Sequence, residues 1–321
     1  AIALLVNRLT GRISGYKLRQ LVNRLIVDVF AIRASPRRVA IQIERSDLDL
    51  GSILMALPGL LIDPTQGHER RRKATMTYVS PSTTREIKAV LFDTFGSVVD
   101  WRSGVARDIA AFAKRHRIDL DAVAFADAWR AKYEPSMEPV RNGSRAFVPL
   151  DQLHMENLHA TLAAFGFDVA VFDKDDLADL NAAWERLDPW QDSVAGLAEL
   201  GRRVIVGPLS NANLALLLRM ALRAKLPWTV IVGSDATRAY KPTIEAYHNM
   251  AWMLRLDPGE VMLAAAHNRD LTFAQRAGLG TAFIPRPTEF GAGQTEDLAA
   301  EGDWDLVCVS TIDLASRFAD A

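Results

Sequence analysis

A single aspartate, Asp93, follows the apolar run Ala89–Phe92 and precedes a turn that contains Gly96. An apolar run that leads into a carboxylate is typical of a buried parallel strand that ends at a site, because ligands of open α/β sheets collect at the carboxyl ends of the strands. A carboxylate can itself act as a nucleophile and form a covalent intermediate. Phe95, two residues later, cannot donate a proton to a leaving group. A neighbour that donates no proton restricts the leaving groups that such a nucleophile can expel.

Polar residues also follow later segments of the chain, in an ordered series. They are Ser210 and Asn211, then Lys241, and then His267, Asn268 and Asp270. Each has a plain structural explanation, because a Ser or Asp after a strand often caps a helix and a Lys is usually solvated. Their order along successive strand–helix units indicates one shared site at the carboxyl edge of a sheet.

Short apolar runs predict the strands of that sheet: Ala89–Phe92, Val204–Val206, Val230–Val232, Val261–Ala265, Ala282–Ile284 and Leu306–Val309. Helical patterns separate most of them, at Asn213–Ala224, Ile244–Leu254 and Leu271–Ala277. Strands that alternate with helices predict βαβ units, so the expected fold is an α/β, doubly wound parallel sheet. The core domain is expected to comprise residues 86–102 and 201–321.

A long insertion, Ser103 to Gly201, separates the first two predicted strands and has no convincing strand pattern of its own. Apolar residues recur in it at helical spacing over Val105–Arg117, Ala122–Tyr133, Leu150–Phe165 and Asp175–Leu187. An all-helical insertion after the first strand of a parallel sheet is expected to cover the strand ends. Residues 103–200 are therefore interpreted as a helical cap domain.

Residues 1–75 differ from the rest of the chain, because they are rich in arginine and show only scattered periodicity. The stretch from Leu4 to Phe30 is compatible with a basic amphipathic helix or with an ordinary solvated one. The chain begins with Ala, and Met76 follows a run of arginines. One interpretation is therefore a translated upstream region or a cloning remnant that is disordered, and a native basic extension is the alternative.

The overall composition is that of a soluble globular protein with a large core, since 49% of the 321 residues are hydrophobic and 24% are charged. A net charge of -1 gives no reason to expect a nucleic acid or an anionic membrane as partner. No apolar run approaches the ~20 residues that span a bilayer. The single cysteine, Cys308, lies in an apolar run and excludes an internal disulfide, which favours a cytoplasmic location.

Over residues 87–321 the chain resembles the haloacid dehalogenase superfamily, and within it the L-2-haloacid dehalogenase (type II) branch. The motifs that carry the resemblance are Asp-x-Phe-Gly-Ser at 93–97, Leu-Ser-Asn at 209–211, Tyr-Lys-Pro at 240–242 followed by Tyr247, then Asp270, Trp129-Arg130 and the run 286–291. The resemblance implies hydrolysis of short 2-haloalkanoic acids to 2-hydroxy acids through an Asp93 ester, with inversion at C2. It implies a small-molecule 2-haloacid as the partner, and a homodimer.

The resemblance also assigns roles to the residues of these motifs. Lys241 holds the carboxylates of Asp93 and Asp270 together, and Arg130 meets the departing halide. Ser210 and Asn211 hold the substrate carboxylate or an oxyanion. Phe95 lines the alkyl pocket, and Ser97 and Tyr247 support Asp93 and Lys241. Without the resemblance, Arg130 would be interpreted as a surface arginine and Phe95 as an aromatic residue of the core. No metal and no cofactor is expected, because Phe95 removes a polar group from the place where Mg²⁺ would want oxygen ligands.

His267 departs from the pattern of that branch, which has Ser-x-Asn-x-x-Asp where this chain has Ala265-x-His267-x-x-Asp270. A histidine there can hold the hydrolytic water or act as its base, or it is only a buried ring. Asn268 is the alternative residue for the water if the turn is shifted.

Two other functions remain open. A phosphatase of the superfamily is opposed by Phe95, because phosphatases need a second acid at that position to protonate the leaving alcohol. A non-catalytic binding protein on the same fold is suggested by the changes at Ala265 and His267, and opposed by the presence of Asp93, Lys241 and Asp270.

Overall fold

A five-stranded parallel sheet lies at the centre of the computed structural model, which describes residues 86–319. The strands of the described chain are β1 (Ala89–Phe92), β2 (Val99–Asp100), β3 (Asp188–Pro189), β4 (Ile205–Pro208), β5 (Val261–Ala265), β6 (Gly280–Phe283) and β7 (Leu306–Val307). The order in the large sheet is β4-β1-β5-β6-β7, so the first strand lies between the second and third strands of that sheet along the chain. The predicted bounds of β1 and β5 are confirmed residue for residue.

Both faces of the sheet are covered, because successive side chains of a strand point to opposite sides. In β1, Val90 and Phe92 belong to one hydrophobic cluster, and Ala89 and Leu91 belong to another. All four side chains are buried, as expected for a parallel strand packed on both sides. The predicted doubly wound α/β fold is confirmed.

The predicted strand Val230–Val232 is wrong, since this segment joins no ladder. It runs beside the edge strand β4, and the backbone N–H groups of Thr229 and Val230 both donate to the carbonyl oxygen of Val206. Pro208 has no N–H to offer on that edge, and the Val206 N–H donates to Oγ1 of Thr229 instead. A regular sixth strand therefore lacks the donors that a parallel ladder needs.

The described chain contains eleven α-helices, of which seven correspond to predicted helical segments, with shifts at their ends, and four were not predicted. They are α1 (Trp101–His116), α2 (Ala122–Ala131), α3 (Tyr133–Arg141), α4 (Leu150–Ala164), α5 (Lys174–Asn181), α6 (Ser193–Leu200), α7 (Leu214–Ala224), α8 (Ser234–Thr237), α9 (Ile244–Leu254), α10 (Asn268–Arg276) and α11 (Thr311–Arg317). The first begins four residues before its predicted start at Val105, because the Asp100 side chain accepts the N–H of Ser103 and caps it.

The inserted segment is helical over α1 to α5 and contains one strand that the sequence did not reveal. This strand, β3, pairs with β2 in a two-stranded antiparallel sheet, where Val99 lies opposite Pro189. The expectation of a strand-free insertion is therefore wrong at this point, because two residues are too few to produce an alternating pattern. Helix α6 lies within the predicted cap range but packs against α11.

The predictions for residues 1–75 lie outside the described residues. Within 86–319, no helix is both long enough and apolar enough to cross a membrane.

Candidate active site

A cavity of about 290 Å³ opens where β1, β4 and β5 end. Its wall is formed by Asp93, Phe95, Arg130, Tyr133, Glu134, Asn211, Lys241, Pro242, His267, Arg269, Asp270, Phe290, Glu296 and Asp297. Since β1 pairs with β4 on one side and with β5 on the other, the residues that follow these strands meet at one edge of the sheet. The structure thus brings together most of the side chains that the sequence singled out.

Asp93 lies directly after β1, and its carboxylate is bound on both oxygens. Oδ1 accepts a hydrogen bond from Lys241 Nζ at 2.8 Å, and Oδ2 accepts one from Ser97 Oγ at 2.7 Å. Oδ2 also lies 3.0 Å from His267 Nδ1. Burial alone would raise the pKa of Asp93, but the charges and hydrogen bonds of Lys241 and His267 hold this pKa well below its usual range. Asp93 is therefore an ionised carboxylate on the cavity wall.

Lys241 forms the link between the two carboxylates. Its ammonium group donates to Asp270 Oδ2 at 2.5 Å as well as to Asp93, and only 7% of the residue is exposed. Burial works against the charge, yet the two carboxylates raise the pKa of Lys241 above its ordinary value. Burial and the neighbouring charge of Asp93 raise the pKa of Asp270, against the attraction of Lys241.

The position of that ammonium group bears on metal binding. It lies between Asp93 and Asp270, in the space that a divalent cation would need in order to bind both. Within residues 86–319 no cluster of three or more His, Cys, Asp or Glu side chains fits a metal ion. Independence from metals stays a prediction.

Ser97 and Tyr247 each donate a hydrogen bond to one of the two carboxylates. Besides donating to Asp93, the Ser97 hydroxyl accepts the backbone N–H of Ala266 at 2.8 Å, which ties the loop after β1 to the end of β5. The Tyr247 hydroxyl donates to Asp270 Oδ1 at 2.7 Å. Burial and the charge of Asp270 raise the pKa of Tyr247, so its proton stays available to that carboxylate.

His267 contacts two carboxylates, one through each ring nitrogen. Nδ1 faces Asp93, and Nε2 lies 3.0 Å from Oε2 of Glu289. Burial lowers the pKa of the ring, but the negative charges of Glu289 and Asp93 raise it well above the ordinary histidine value. The ring is thus a cation that donates from both nitrogens. While Asp93 is a carboxylate, Nδ1 is engaged with it and is not free to accept a proton from water.

Phe95 and Arg130 lie on the apolar side of the cavity. The ring of Phe95 meets the rings of Tyr133 and Trp184 edge to face, at centroid distances of 6.3 and 5.5 Å. The Arg130 guanidinium lies 4.1 Å from the centre of the Tyr133 ring and 5.5 Å from that of Trp101. The buried Nε of Arg130 has no hydrogen-bond partner among residues 86–319. Arg130 is therefore a wall residue and not a surface arginine.

Asn211 and Ser210 differ in where they point. Asn211 lines the cavity, and its Oδ1 accepts the backbone N–H of Lys241 at 2.6 Å, so it holds the segment that carries the lysine. Ser210 Oγ instead accepts the N–H of Ala212 at 3.2 Å, and the residue lines a separate space of about 10 Å³. A local turn of this kind directs the hydroxyl back along its own chain.

Asn268 is not brought into the cavity. Its Nδ2 donates to Asp297 Oδ1, and its Oδ1 accepts hydrogen bonds from the Glu301 backbone and from Trp304 Nε1. Both polar atoms of its side chain are thus used to hold the loop before β7. The prediction that Asn268 replaces the branch's usual water-binding residue does not match this geometry.

The sequence analysis missed several residues of the cavity wall, among them Tyr133, Glu134, Arg269, Phe290, Glu296 and Asp297, and it also missed Glu289 next to His267. Glu289 belongs to the run 286–291, which resembled the branch but had been given no role. Tyr133 was read only as the end of an amphipathic helix, although its ring lies under Arg130, and burial raises the pKa of its hydroxyl to about 12. Neither the spacing nor the residue type marked them.

Comparison with known proteins extends the similarity beyond the site. No family model matches the chain. Among solved structures, it is 53% identical to the defluorinating L-2-haloacid dehalogenase Rha0230, with a TM-score of 0.75 over 76% of this chain and 99% of that one. It is 42% identical to the L-2-haloacid dehalogenase PA0810, with a TM-score of 0.68 over 72% and 99% of the two chains. The (S)-2-haloacid dehalogenase of Pseudomonas sp. (strain YL) is 25% identical over 229 residues, which are 70% of this chain and 93% of that protein.

Proposed function

This chain belongs to the L-2-haloacid dehalogenase branch of the haloacid dehalogenase superfamily, and we propose that it hydrolyses short (S)-2-haloalkanoic acids to (R)-2-hydroxy acids. The observation that carries the proposal is the state of Asp93. It is an ionised carboxylate beside a cavity of about 290 Å³, and Phe95 lies where a phosphatase of the superfamily needs a second acid. Such a site suits a leaving group that departs without a proton.

The first step is attack of an Asp93 oxygen on C2 of the substrate from the side opposite the halogen. A carbon–oxygen bond forms, and the electron pair of the carbon–halogen bond leaves with the halide. The Arg130 guanidinium, on the cavity wall, supplies the positive charge that the departing halide meets. Lys241 remains bound to Asp93 and to Asp270 and compensates the negative charge of the pair.

The second step is attack of water on the carbonyl carbon of the Asp93 ester. One proton of the water passes to the departing alcohol oxygen, the other is released to solvent, and Asp93 returns to a carboxylate. Asn211 and the backbone N–H groups that follow β4 are the donors proposed for the substrate carboxylate or for the oxyanion of this step. Because C2 is inverted once, (S)-2-chloropropionate gives (R)-lactate.

The test measures halide and product together. The enzyme is incubated with (S)- and (R)-2-chloropropionate, in the presence and absence of EDTA, and both chloride and the enantiomer of lactate are quantified. We expect chloride only from the (S) substrate, with one (R)-lactate formed per chloride. Fluoroacetate belongs in the same set of substrates, since Rha0230 is named a defluorinating enzyme. Absence of chloride release, or (S)-lactate as the product, refutes the proposal.

The other functions considered from the sequence make different predictions for the same samples. A phosphatase would hydrolyse a phosphate ester such as p-nitrophenyl phosphate only when Mg²⁺ is present. A binding protein would bind 2-chloropropionate and release no chloride. No contact in the described chain favours either function over the dehalogenase.

We further propose a cytoplasmic location and a homodimer. The location is supported by Cys308, which is buried and unpaired, and whose pKa burial raises to about 12. The dimer is supported by Leu214, Leu218 and Leu222, exposed leucines four residues apart on α7. Light scattering after gel filtration checks the dimer, and a monomer at micromolar concentration contradicts it.

A further inference from the structure

Glu289 is buried, and hydrogen bonds hold both its side chain and the loop that carries it. It is 1% exposed, and Trp101 Nε1 donates to its Oε1 at 2.9 Å. Arg286, in the same loop, donates from Nε to the carbonyl oxygen of Ser97 and forms two hydrogen bonds with the carboxylate of Asp192. Trp101 therefore holds the Glu289 side chain directly, and Arg286 anchors the loop that carries it.

Gly96 makes room for that carboxylate. A Cβ atom built on Gly96 would lie 2.0 Å from Oε1 of Glu289, and the φ angle of this glycine is +87°. Any other residue at this position would therefore displace the glutamate. The motif that carries Asp93 thus also accommodates the group that contacts His267.

His267 bridges the Glu289 carboxylate and the nucleophile. Nε2 lies 3.0 and 3.2 Å from the two oxygens of Glu289, and Nδ1 lies 3.0 Å from Asp93 Oδ2. The other charged or titratable groups around the ring are Lys241 and Asp270 beyond Asp93, and Arg130, Tyr133, Glu134, Arg269, Glu296 and Asp297 on the rest of the cavity wall. The two contacts differ in one respect, because ester formation changes the charge of Asp93 and leaves that of Glu289 unchanged.

We propose that His267 and Glu289 form a catalytic pair in which the imidazolium orients Asp93 for the first step and the neutral imidazole deprotonates the water of the second step. His267 is the catalytic residue, because it touches the reacting carboxylate, and Glu289 is a positioning residue that acts through the ring. This inference rests on the proposed function and deepens it.

The protons and charges balance over the cycle. While Asp93 is a carboxylate, both ring nitrogens are protonated. Ester formation removes the negative charge at Nδ1, so the pKa of the ring falls and the Nδ1 proton is released to solvent, which accounts for the acid formed with the halide. Nδ1 then accepts a proton as water attacks the ester carbon, and the proton of the resulting carboxyl group passes to the departing alkoxide. The carboxylate and the imidazolium are thereby restored.

Glu289 has two effects on the neutral ring. By accepting a hydrogen bond from Nε2 it fixes the tautomer whose lone pair is on Nδ1, facing the ester. Its charge also raises the pKa of the ring and makes it a stronger base. An asparagine at position 267, the usual residue of the branch, can hold a water molecule but cannot accept its proton.

Single-turnover experiments with enzyme in excess over (S)-2-chloropropionate separate the two steps. Chloride reports the first step, and intact mass of acid-quenched enzyme reports the ester. We expect Glu289→Gln and His267→Ala to release chloride in the first turnover and to accumulate the ester. For His267→Ala, ester hydrolysis should slow by about 10²- to 10⁴-fold, the usual contribution of a general base.

The pH dependence of ester hydrolysis distinguishes a histidine that acts as a base from a residue that only holds the water molecule. In the unsubstituted enzyme the rate should rise with pH as the ring becomes neutral. Glu289→Gln removes a negative charge in contact with the ring, so this rise should move to lower pH by about 1 to 3 units. His267→Asn should hydrolyse the ester with no rise in that range.

Glu199→Gln is the matched control, because Glu199 lies outside the proposed site and pairs with Arg202 and Arg203 on the surface. It should leave both steps and the pH profile unchanged. Thermal unfolding shows whether Glu289→Gln is folded. If the folded variant accumulates no ester and keeps the pH profile, the catalytic pair is refuted while the dehalogenase function stands. If the unsubstituted enzyme releases no chloride, the proposed function itself fails.

Discussion

Replacement of Lys241 by methionine tests whether one ammonium group holds the site together. Methionine has a similar length and no charge, so Lys241→Met leaves Asp93 and Asp270 buried side by side without their common cation. Burial and mutual repulsion then both favour protonation of one carboxylate. We expect the variant to be inactive and less stable, and its loss of stability to depend on pH.

The size of the effect follows from the geometry. Opposite unit charges 2.8 Å apart attract by about 6 kcal/mol at an effective dielectric constant of about 20. Removal of the lysine also ends the cost of burying its ammonium group, so the net loss is expected at about 3 to 5 kcal/mol, as for other buried pairs that lose one partner.

The sign of the pH dependence differs between the two proteins. With Lys241 present, the folded-state pKa of Asp93 is depressed. The contribution of Asp93 to the free energy of unfolding is therefore complete above its ordinary pKa of 3.8 and is lost as the pH falls below that value. In the variant the shared pKa of the two carboxylates is raised, so the folded state takes up a proton and regains stability as the pH falls. The difference in unfolding free energy should therefore be largest near pH 8 and should shrink toward pH 4.

Urea unfolding at pH 5 and at pH 8 measures this difference, with Lys114→Met as the control. Lys114 is an exposed lysine in the last turn of α1, and its replacement should change stability by less than about 0.5 kcal/mol at both pH values. A loss below about 1 kcal/mol for Lys241→Met, or the same loss at both pH values, would contradict the proposed role of the cation.

Four further outcomes are expected. Asp93→Asn should fold and release no chloride in the first turnover, and in the unsubstituted enzyme ¹⁸O from water should enter Asp93 before it reaches the product; label that enters the product alone would make water the nucleophile. Chloride release should be unchanged in excess EDTA, and a loss that Mg²⁺ restores would favour the phosphatase. A chain that begins at Met76 should keep full activity and cooperative unfolding, because every proposed site residue lies within 86–319; a fall of several degrees in melting temperature would show that the preceding segment stabilises the fold. Gly96→Ala should accumulate the ester as Glu289→Gln does, because its methyl group displaces the glutamate; normal ester hydrolysis in a folded variant would speak against that contact.

The sequence alone predicted the parts of the fold that depend on local pattern. The bounds of β1, β5 and α9 agree with the prediction, because uninterrupted apolar runs and helical spacing are properties of short stretches of chain. The meeting of Asp93, Lys241 and Asp270 was also predictable, since parallel strands bring their carboxyl ends to one edge of a sheet.

Predictions failed where a neighbour distant in sequence decided the outcome. Val230–Val232 has the composition of a strand, but Pro208 at the edge of β4 withholds a donor that the ladder requires. Asn268 has the chemistry to bind a water molecule, but the loop before β7 takes up both polar atoms of its side chain. In both cases the properties of the residues themselves were interpreted correctly, but the distant residues that contact them could not be identified from the sequence.

The state of His267 depends entirely on the tertiary structure. The sequence places a histidine after β5 and a nucleophile after β1, and from these the ring could equally be a base, a water ligand or core packing. The structure adds Glu289, 22 residues further along the chain, against the other side of the ring. Charge on an imidazole is set by every charge within a few ångströms and by burial, and neither quantity is encoded in the spacing of residues along the chain. The sequence therefore determined which groups are available for the chemistry, and the fold decided which of them carry protons.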